Sequence, residues 1–455
     1  METTLEERLI NHIAETDFDD LDQQTVRSCK KLVLDSLGVV FPGGKAPGCP
    51  ETVELMRSWR SIDGSSVLLH GFSVAPPLAA LVNSMMMHAL DFDDTLDVSA
   101  LHAFVNVLPA GLAAAENRGK VSGRDLITAL VLGTDVICRL SLAIDRPLSW
   151  IRTATCGGFG AAATAGKILG LGKEELSNAL GVMYSRTSGN AQGLIEGRLV
   201  KRMQPGFAAS AGVTSSYLAA RGITGSRLFL TGPYGFYNLY EQGDYHAEAV
   251  TEGIGEHFTI KDLSLKPYPS CRMTHSTIGA AMKLKDRVGP VDQIERIDVS
   301  VSSMVAEMVG KPFEIGTNPQ VDAQFSIGYT TACAFIRGDA FLGDFETDKI
   351  KDPAVQRLAE RVFVSVNKDI PAKDISQAEM KVTLKEGSVL NHSVRVAPGN
   401  PEDPMSDEHC REKFNKCIDY SGVEFNEEAR KKLISMIDDL EHLQDVNELV
   451  RIMAG

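Results

Sequence analysis

Apolar residues recur three and four positions apart through the first half of the chain. The runs are LEERLINHIAE (5–15), TVRSCKKLVLDSLGVVF (25–41), PPLAALVNSMMMHAL (76–90), SGRDLITALVLGTDVICRLSLAI (122–144) and FAASAGVTSSYLAARG (207–222). That spacing is the repeat of helices with one buried face. Ser122 opens the fourth run as an N-cap, its hydroxyl able to accept from a first-turn N–H. FGAAATAG (159–166) lacks the GxGxxG spacing of a nucleotide loop and reads as a buried helix of small residues that lets its neighbours come close. After about residue 264 the period changes. IERIDVSVSS and EMKVTLKEGSVLNHSVRV alternate apolar and polar positions, and Glu386-Gly387 divides the second into the two arms of a β-hairpin. PGNPEDPMSDEHC is a proline loop from which a helix starts, with Ser406 as cap and His409 three places on. The pattern predicts a mainly α fold: a large helical domain, a smaller α+β domain, and a helical C-terminal segment that could return to the first.

Composition narrows this picture. A chain of 455 residues exceeds what a single core usually serves, which predicts two or three domains. Apolar residues at 44% and charged residues at 23% are those of a folded globular protein. A net charge of −14 argues against a nucleic-acid surface. It does not argue against an anionic substrate, because a few cations in one cleft can dominate the local field. The eight cysteines show no CxxC pair, which predicts free thiols in a reducing compartment, the cytoplasm or an organelle matrix. The acidic start METTLEERLINHIAETDFDD has neither the basic nor the apolar region of a targeting peptide, and no run is long enough to span a membrane.

Three stretches carry candidate chemistry. HALDFDDTLDVSALHAFVNVLPA (88–110) gathers four acids and two histidines. Asp93, Asp94 and Asp97 fit the DDxxD of terpenoid synthases, but that chemistry needs an aromatic cavity and a second acidic motif. Aromatics here are 6% and no second motif of that kind follows. These acids could equally cap helices and pair with cations. In GRLVKRMQPGFAASAG (197–212), Lys201 and Arg202 precede Pro205-Gly206 and an apolar helix, a place where backbone N–H groups and cations together would hold a carboxylate. The plain alternative is an exposed turn. In LKPYPSCRMTHSTIGAAMKL (265–284), Lys266, Arg272 and His275 stand before another helix of small residues. His275, between Thr274 and Ser276 at the helix start, is placed where the dipole favours a neutral imidazole, as a general base requires.

Taken in order, HALDFDDT, a histidine ahead of VLPA, KRMQPG, KPYPSCRMTH, VDAQFSIGY and PGNPEDPMSDE resemble the MmgE/PrpD family from about residue 5 to 440. The resemblance implies a large all-helical domain (1–264), an α+β lid (265–397), a C-terminal return to the helical domain (398–455), a cleft between domain and lid, and a homodimer. It implies Asp91, His102, Lys201 and His275 as the catalytic set with Thr95 on the substrate, and Arg202, Arg272 and Lys266 of the two cation-bearing stretches are the further substrate-binding candidates. The spacing from Thr95 to His102 is one residue longer than the family's usual one. Where many relatives carry histidines, this chain has Gln204 and, further upstream, Ile151 and Arg152; where some have Pro-Ser after the first histidine, it has Ala103 and Phe104.

Family members make or break a bond at the carbon next to a carboxylate, through an aci-carboxylate state that demands a placed base and strong electrostatic stabilisation. The resemblance therefore implies a lyase, a dehydratase or decarboxylase of a small di- or tricarboxylate, with His102 and His275 as acid and base and Asp91 holding one imidazole. An epimerase of an imino-dicarboxylate and a non-catalytic polycarboxylate-binding member are the alternatives. Aconitase does related chemistry with a cysteine-held iron–sulfur cluster. The cysteines here lack such spacing, so neither cofactor nor metal is expected.

Overall fold

The computed structural model describes residues 3–146 and 150–454. The first two residues of the acidic N-terminal stretch, and Ser149 just ahead of Trp150 and Ile151, lie outside them. The chain divides into two compact units, Met1–Leu263 with Ser406–Gly455, and Ser264–Met405.

The first unit is helical. Its framework is α1 (Leu5–Glu15), α2 (Gln23–Gly43), α3 (Pro76–His88), α4 (Phe104–Arg118), α5 (Gly123–Leu142), α6 (Gly157–Leu169) and α7 (Val200–Ala219). Ser122 caps α5 by accepting from Asp125 N at 3.1 Å. The small-residue run lies in α6, buried from Gly157 to Gly166 and packed against α4, α5 and α7. The crossing with α5 has no room for side chains: a Cβ on Gly160 would stand 2.4 Å from the Gly133 carbonyl oxygen, and one on Gly133 would stand 1.9 Å from Thr164 Oγ1. Asp135 of α5 ties distant segments together inside this unit. Its carboxylate accepts from Arg139 Nε (2.6 Å), His12 Nε2 (3.0 Å) and the Thr259 backbone N–H (2.8 Å), so the buried charge is fully engaged. After the proline loop the chain returns as the helix Asp407–Ser421, capped by Ser406 Oγ accepting from His409 N at 3.1 Å. This helix buries Phe414, Cys417 and Ile418 and packs on α2.

The second unit is α+β. It contains α8 (His275–Val288), β1 (Ile294–Val301), α9 (Ile327–Arg337), β2 (Val362–Val366), β3 (Ala378–Leu384) and β4 (Val389–Val394). The strand order is β2-β1-β3-β4, with β1 parallel to β2 and antiparallel to β3. The alternation in β3 is explained by its two faces: Ala378, Met380, Val382 and Leu384 enter the core while Glu379 and Lys381 face outward. Gly387 at φ +90° makes the hairpin turn, which Leu384 N closes on Ser388 O at 2.9 Å. Helix α8 packs on β3 and β4 and against α9. Among the described residues no helix is long and apolar enough to cross a membrane, and all eight cysteines are free thiols.

Candidate active site

The acid-rich stretch is the connection between α3 and α4. His88 is the last residue of α3, and Asp91 turns the chain with φ +55°, a left-handed conformation that aspartate tolerates better than most residues. Further on, Leu96 N donates to Leu101 O at 2.7 Å and closes a turn that contains the short 3-10 helix Asp97–Ser99 and Ala100 at φ +49°. Asp94 is wholly buried and accepts from the backbone N–H groups of Ala103 (3.0 Å) and Phe104 (3.2 Å), anchoring the start of α4. For Asp94, the capping role is the observed one. Asp91, Asp93 and Asp94 lie between α3 and α4 and face different partners instead of lining one helix face.

Two imidazoles share one carboxylate. Asp93 Oδ2 lies 2.7 Å from His88 Nδ1 and 3.2 Å from His102 Nδ1, and His102 Nδ1 is also 2.6 Å from the Asp94 carbonyl oxygen. Both Nδ1 atoms face acceptors, so the hydrogen-bond network assigns the proton of each ring to Nδ1 and leaves each Nε2 with a lone pair. Lys201, in the first turn of α7, places Nζ 3.1 Å from His88 Nε2 and 3.3 Å from Asp91 Oδ1. His102 Nε2 is 4.0 Å from the same Asp91 oxygen. The carboxylate that holds the imidazoles is therefore Asp93, and Asp91 holds the lysine. Lys201, Asp91 and His102 have side chains 25%, 15% and 14% exposed, whereas His88 and Asp93 are at 2% and 0%. Three reachable groups thus stand on a buried His–Asp pair.

Burial, more than any charge, pushes the His88 imidazole down to about 4, and the Lys201 ammonium adds to this against the pull of Asp93. Asp93 is held well below the usual carboxylate range: burial opposes its ionisation, but the two imidazoles facing it outweigh that cost. Asp94, equally buried and beside the Asp93 charge, is pushed up to about 7 despite its two backbone donors. His88, Asp93 and His102 each offer one ligand atom within 4.8 Å of the others. A cation there would have to displace both Nδ1 protons and face the Lys201 ammonium at the edge of the group.

The neighbouring predicted residues take other tasks. Thr95 is buried directly after Asp94. The structure starts α7 at Val200, so Lys201 and Arg202 belong to its first turn and do not precede the helix; Pro205 lies inside it. Arg202 directs Nη1 to the Pro47 carbonyl at 2.8 Å. Gln204 is buried and clasps the Asn190 backbone from both sides, accepting from its N–H at 2.7 Å and donating to its carbonyl at 3.1 Å. Beside Arg152, Thr153 Oγ1 accepts from the His102 N–H at 3.1 Å, and Asn106 Nδ2 bridges the carbonyls of His102 (3.2 Å) and Thr153 (3.0 Å). This segment fixes the backbone of His102.

In the second unit, His275 begins α8 and is fully buried. Arg272 Nη1 donates to its Nδ1 at 3.2 Å, and Nε2 lies 3.3 Å from the Ser270 carbonyl, so the network assigns the Nε2–H tautomer. Arg272 also donates to the carbonyls of Pro398 (2.6 Å) and Ala397 (3.2 Å) and to Ser264 Oγ (3.3 Å), which binds the loop after β4 to the start of α8. Tyr268 meets the His275 ring edge-on at 5.3 Å, and Lys266 is buried.

Sequence reasoning passed over His88 and gave Asp93 no role of its own. The available signal was a histidine ending an apolar helix five positions before an aspartate, the span of a tight reversal.

Comparison with known proteins agrees with this architecture. The MmgE/PrpD N-terminal domain matches residues 7–248 and the MmgE/PrpD C-terminal domain matches residues 268–439. Cis-aconitate decarboxylase of Aspergillus terreus is 26% identical over 96% of this chain and 93% of its own length. The mouse (Mus musculus) cis-aconitate decarboxylase is 28% identical over 94% and 89%, and the human one (Homo sapiens) 27% over 96% and 91%. With a family domain matched over more than half of its length and a second over most of the remainder, this chain belongs to the MmgE/PrpD family.

Proposed function

We propose that this protein is a lyase that removes carbon dioxide, or water, from a small di- or tricarboxylate at the carbon next to a carboxylate, with no bound metal. The observation that carries the reading is the reachable trio of Lys201, Asp91 and His102 over the buried His88–Asp93 pair. The relatives named cis-aconitate decarboxylase supply the substrate class.

In this reading the Lys201 ammonium, oriented by Asp91 and by the His88 lone pair, receives a substrate carboxylate. When the C–C bond to the departing carbon dioxide breaks, its electron pair passes onto carbon conjugated with a remaining carboxylate, and Lys201 stabilises the charge that develops there. A proton must then reach that carbon. His102 is suited to deliver or accept it at Nε2, because its Nδ1–H is held by Asp93 and the Asp94 carbonyl and an imidazolium would be stabilised by the Asp93 charge. Thr95 orients the substrate, and Arg202, Arg272 and Lys266 are retained as substrate-side cations. The second acid–base role is proposed for His275. The protein is further proposed to act as a homodimer, with the exposed apolar side chains Leu194, Ile195, Leu199 and Val200, up to the start of α7, and Phe207 further along it as candidate contact surface.

The test is proton NMR of the chelator-treated protein in deuterated water with cis-aconitate, citrate and methylcitrate, alongside His102→Ala and His275→Ala. Loss of carbon dioxide or of the hydroxyl, undiminished by chelator and abolished in both variants, is the expected result. Deuterium uptake without net conversion would replace the lyase by an epimerase. Silence on every compound from a folded protein would sink the reading.

A further inference from the structure

Phe92 stands between Asp91 and Asp93, and its backbone carbonyl accepts from Lys413 Nζ at 2.8 Å. Lys413 is 321 positions further along the chain, in the returning helix Asp407–Ser421. The same ammonium is 2.7 Å from Asp35 Oδ1 of α2 and 3.8 Å from the centre of the Phe92 ring. The side chains of the pair are only 4% and 1% exposed.

A buried ion pair is weak evidence of stabilisation, since two apolar side chains of similar volume commonly serve as well. Apolar side chains cannot donate to the Phe92 carbonyl, however. That carbonyl belongs to the peptide plane joining Phe92 to Asp93, so holding it restricts the directions in which the Asp93 side chain can leave the backbone. The preceding residue, Asp91, is held at φ +55°, a conformation that local preference does not select and that surrounding contacts must impose. Asp94 provides one such tie, to the start of α4. Lys413 provides another from the opposite end of the chain, gripping both the carbonyl and the ring of Phe92.

We propose that Lys413, seated by Asp35, is a positioning residue of the reactive centre: its bond to the Phe92 carbonyl sets the turn that presents Asp91 to Lys201 and Asp93 to the two histidines. The proposal deepens the lyase reading and rests on it for the word reactive, but the geometry it asserts can be tested without turnover.

Three variants separate positioning from folding. Lys413→Met removes the ammonium 2.7 Å from the buried Asp35 carboxylate and should lower the melting temperature. The double variant Asp35→Leu/Lys413→Met removes that carboxylate too and should recover most of the melting temperature. Backbone hydrogen exchange over residues 88–104 should nevertheless be faster than in the wild type, by about tenfold or more, while α6 keeps its protection. Its kcat on cis-aconitate should fall by about 10²-fold with KM little changed, as expected for reacting groups displaced by about 1 Å. Asp35→Asn keeps the donor to Phe92 and should exchange over 88–104 like the wild type. Wild-type exchange and kcat in the double variant would overturn the proposal. So would accelerated exchange in Asp35→Asn, which would assign the effect to the ion pair instead of the Phe92 bond. If the wild type itself leaves cis-aconitate untouched, the function reading fails on that substrate and the exchange rates alone decide the positioning claim.

Discussion

Asp93 and Asp94 are adjacent, equally buried and chemically identical, yet their environments drive them apart. Asp93 faces two imidazoles and stays ionised far below the usual range, while Asp94 faces the Asp93 charge and two backbone donors and is pushed up to about 7. His88 is the residue whose state depends most on this arrangement. Its imidazole is held at about 4 in the fold against 6.5 when unperturbed, so between those values the unfolded chain binds a proton that the folded one refuses. The contribution of His88 is present above pH 6.5 and is lost as the pH falls towards 4, up to about 3 kcal/mol at 1.36 kcal/mol per pKa unit. Asp94 acts with the opposite sign, favouring the fold at low pH and losing that advantage as the pH rises from 3.8 towards 7. His88→Gln removes the first effect and keeps the second, so its melting temperature should fall less steeply than the wild type's on acidification from pH 6.5 to 4. Parallel pH profiles in calorimetry would show that His88 is not neutral in the fold. Lys201→Met should lower kcat/KM on the accepted carboxylate by about 10²- to 10³-fold, the loss typical of one stabilising donor. Lys201→Arg should rescue little, because a planar fork cannot place one compact charge between Nε2 of His88 and Oδ1 of Asp91. At this scale Asp91, His102 and Lys201 were legible as residue types in a telling order. The pairing was not, since the positive φ of Asp91 decides which acid meets the lysine and which meets the imidazoles, and no local pattern encodes that rotation.

Between elements, the crossing of α5 and α6 depends on the absence of side chains at Gly133 and Gly160. Gly133→Ala would put a Cβ 1.9 Å from Thr164 Oγ1 and 2.7 Å from the Gly160 carbonyl oxygen, and only the first of these neighbours can rotate away. The helices must then separate, which should destabilise the protein by about 1–3 kcal/mol, while Gly119→Ala, whose Cβ would meet open space, tests the effect of its positive φ alone. Chemical denaturation of the two variants would measure the difference, and equal losses would show that the crossing is slack. The features legible in the sequence at this level are those set by neighbours along the chain: the caps at Ser122 and Ser406, the hairpin at Gly387, the helical run over 159–166. The start of α7 was less so. Pro205-Gly206 suggested a break, but a proline this close to the N-terminus costs only the bond to the Lys201 carbonyl and has no long stretch of helix before it to kink. The consequence reaches the site, since the turn begun at Val200 is what aims Lys201.

For the whole molecule, the two units differ in how the chain builds them. Residues 264–405 are contiguous and enclose their own core, from Ile278 and Leu284 of α8 through Val299 and Val382 of the sheet to Tyr329 and Phe335 of α9. The helical unit is discontinuous and is closed by its last segment: Phe414, Cys417 and Ile418 cover α2, Lys413 neutralises the buried Asp35, and the Met453 carbonyl accepts from Leu69 N at 2.8 Å. The helical period of residues 406 to the end and its return to the helical domain were both read in the sequence, and the unit does include Ser406–Gly455; the side chains it meets there were not, because the partners are contacts across hundreds of positions and leave no periodic trace. A fragment of residues 264–405 should therefore fold alone and melt in a single cooperative transition, as a contiguous unit with its own core can. A fragment of residues 1–263 should not, because it exposes the apolar face of α2 and removes the Lys413 ammonium from the buried Asp35 carboxylate; it should bind a hydrophobic dye and unfold without a sharp transition. Supplying residues 406–455 as a separate chain should restore cooperative melting to the longer fragment. Circular dichroism and calorimetry on the three chains decide the matter, and a cooperative transition in residues 1–263 alone would mean that the returning segment is an addition to a finished core instead of the piece that completes it.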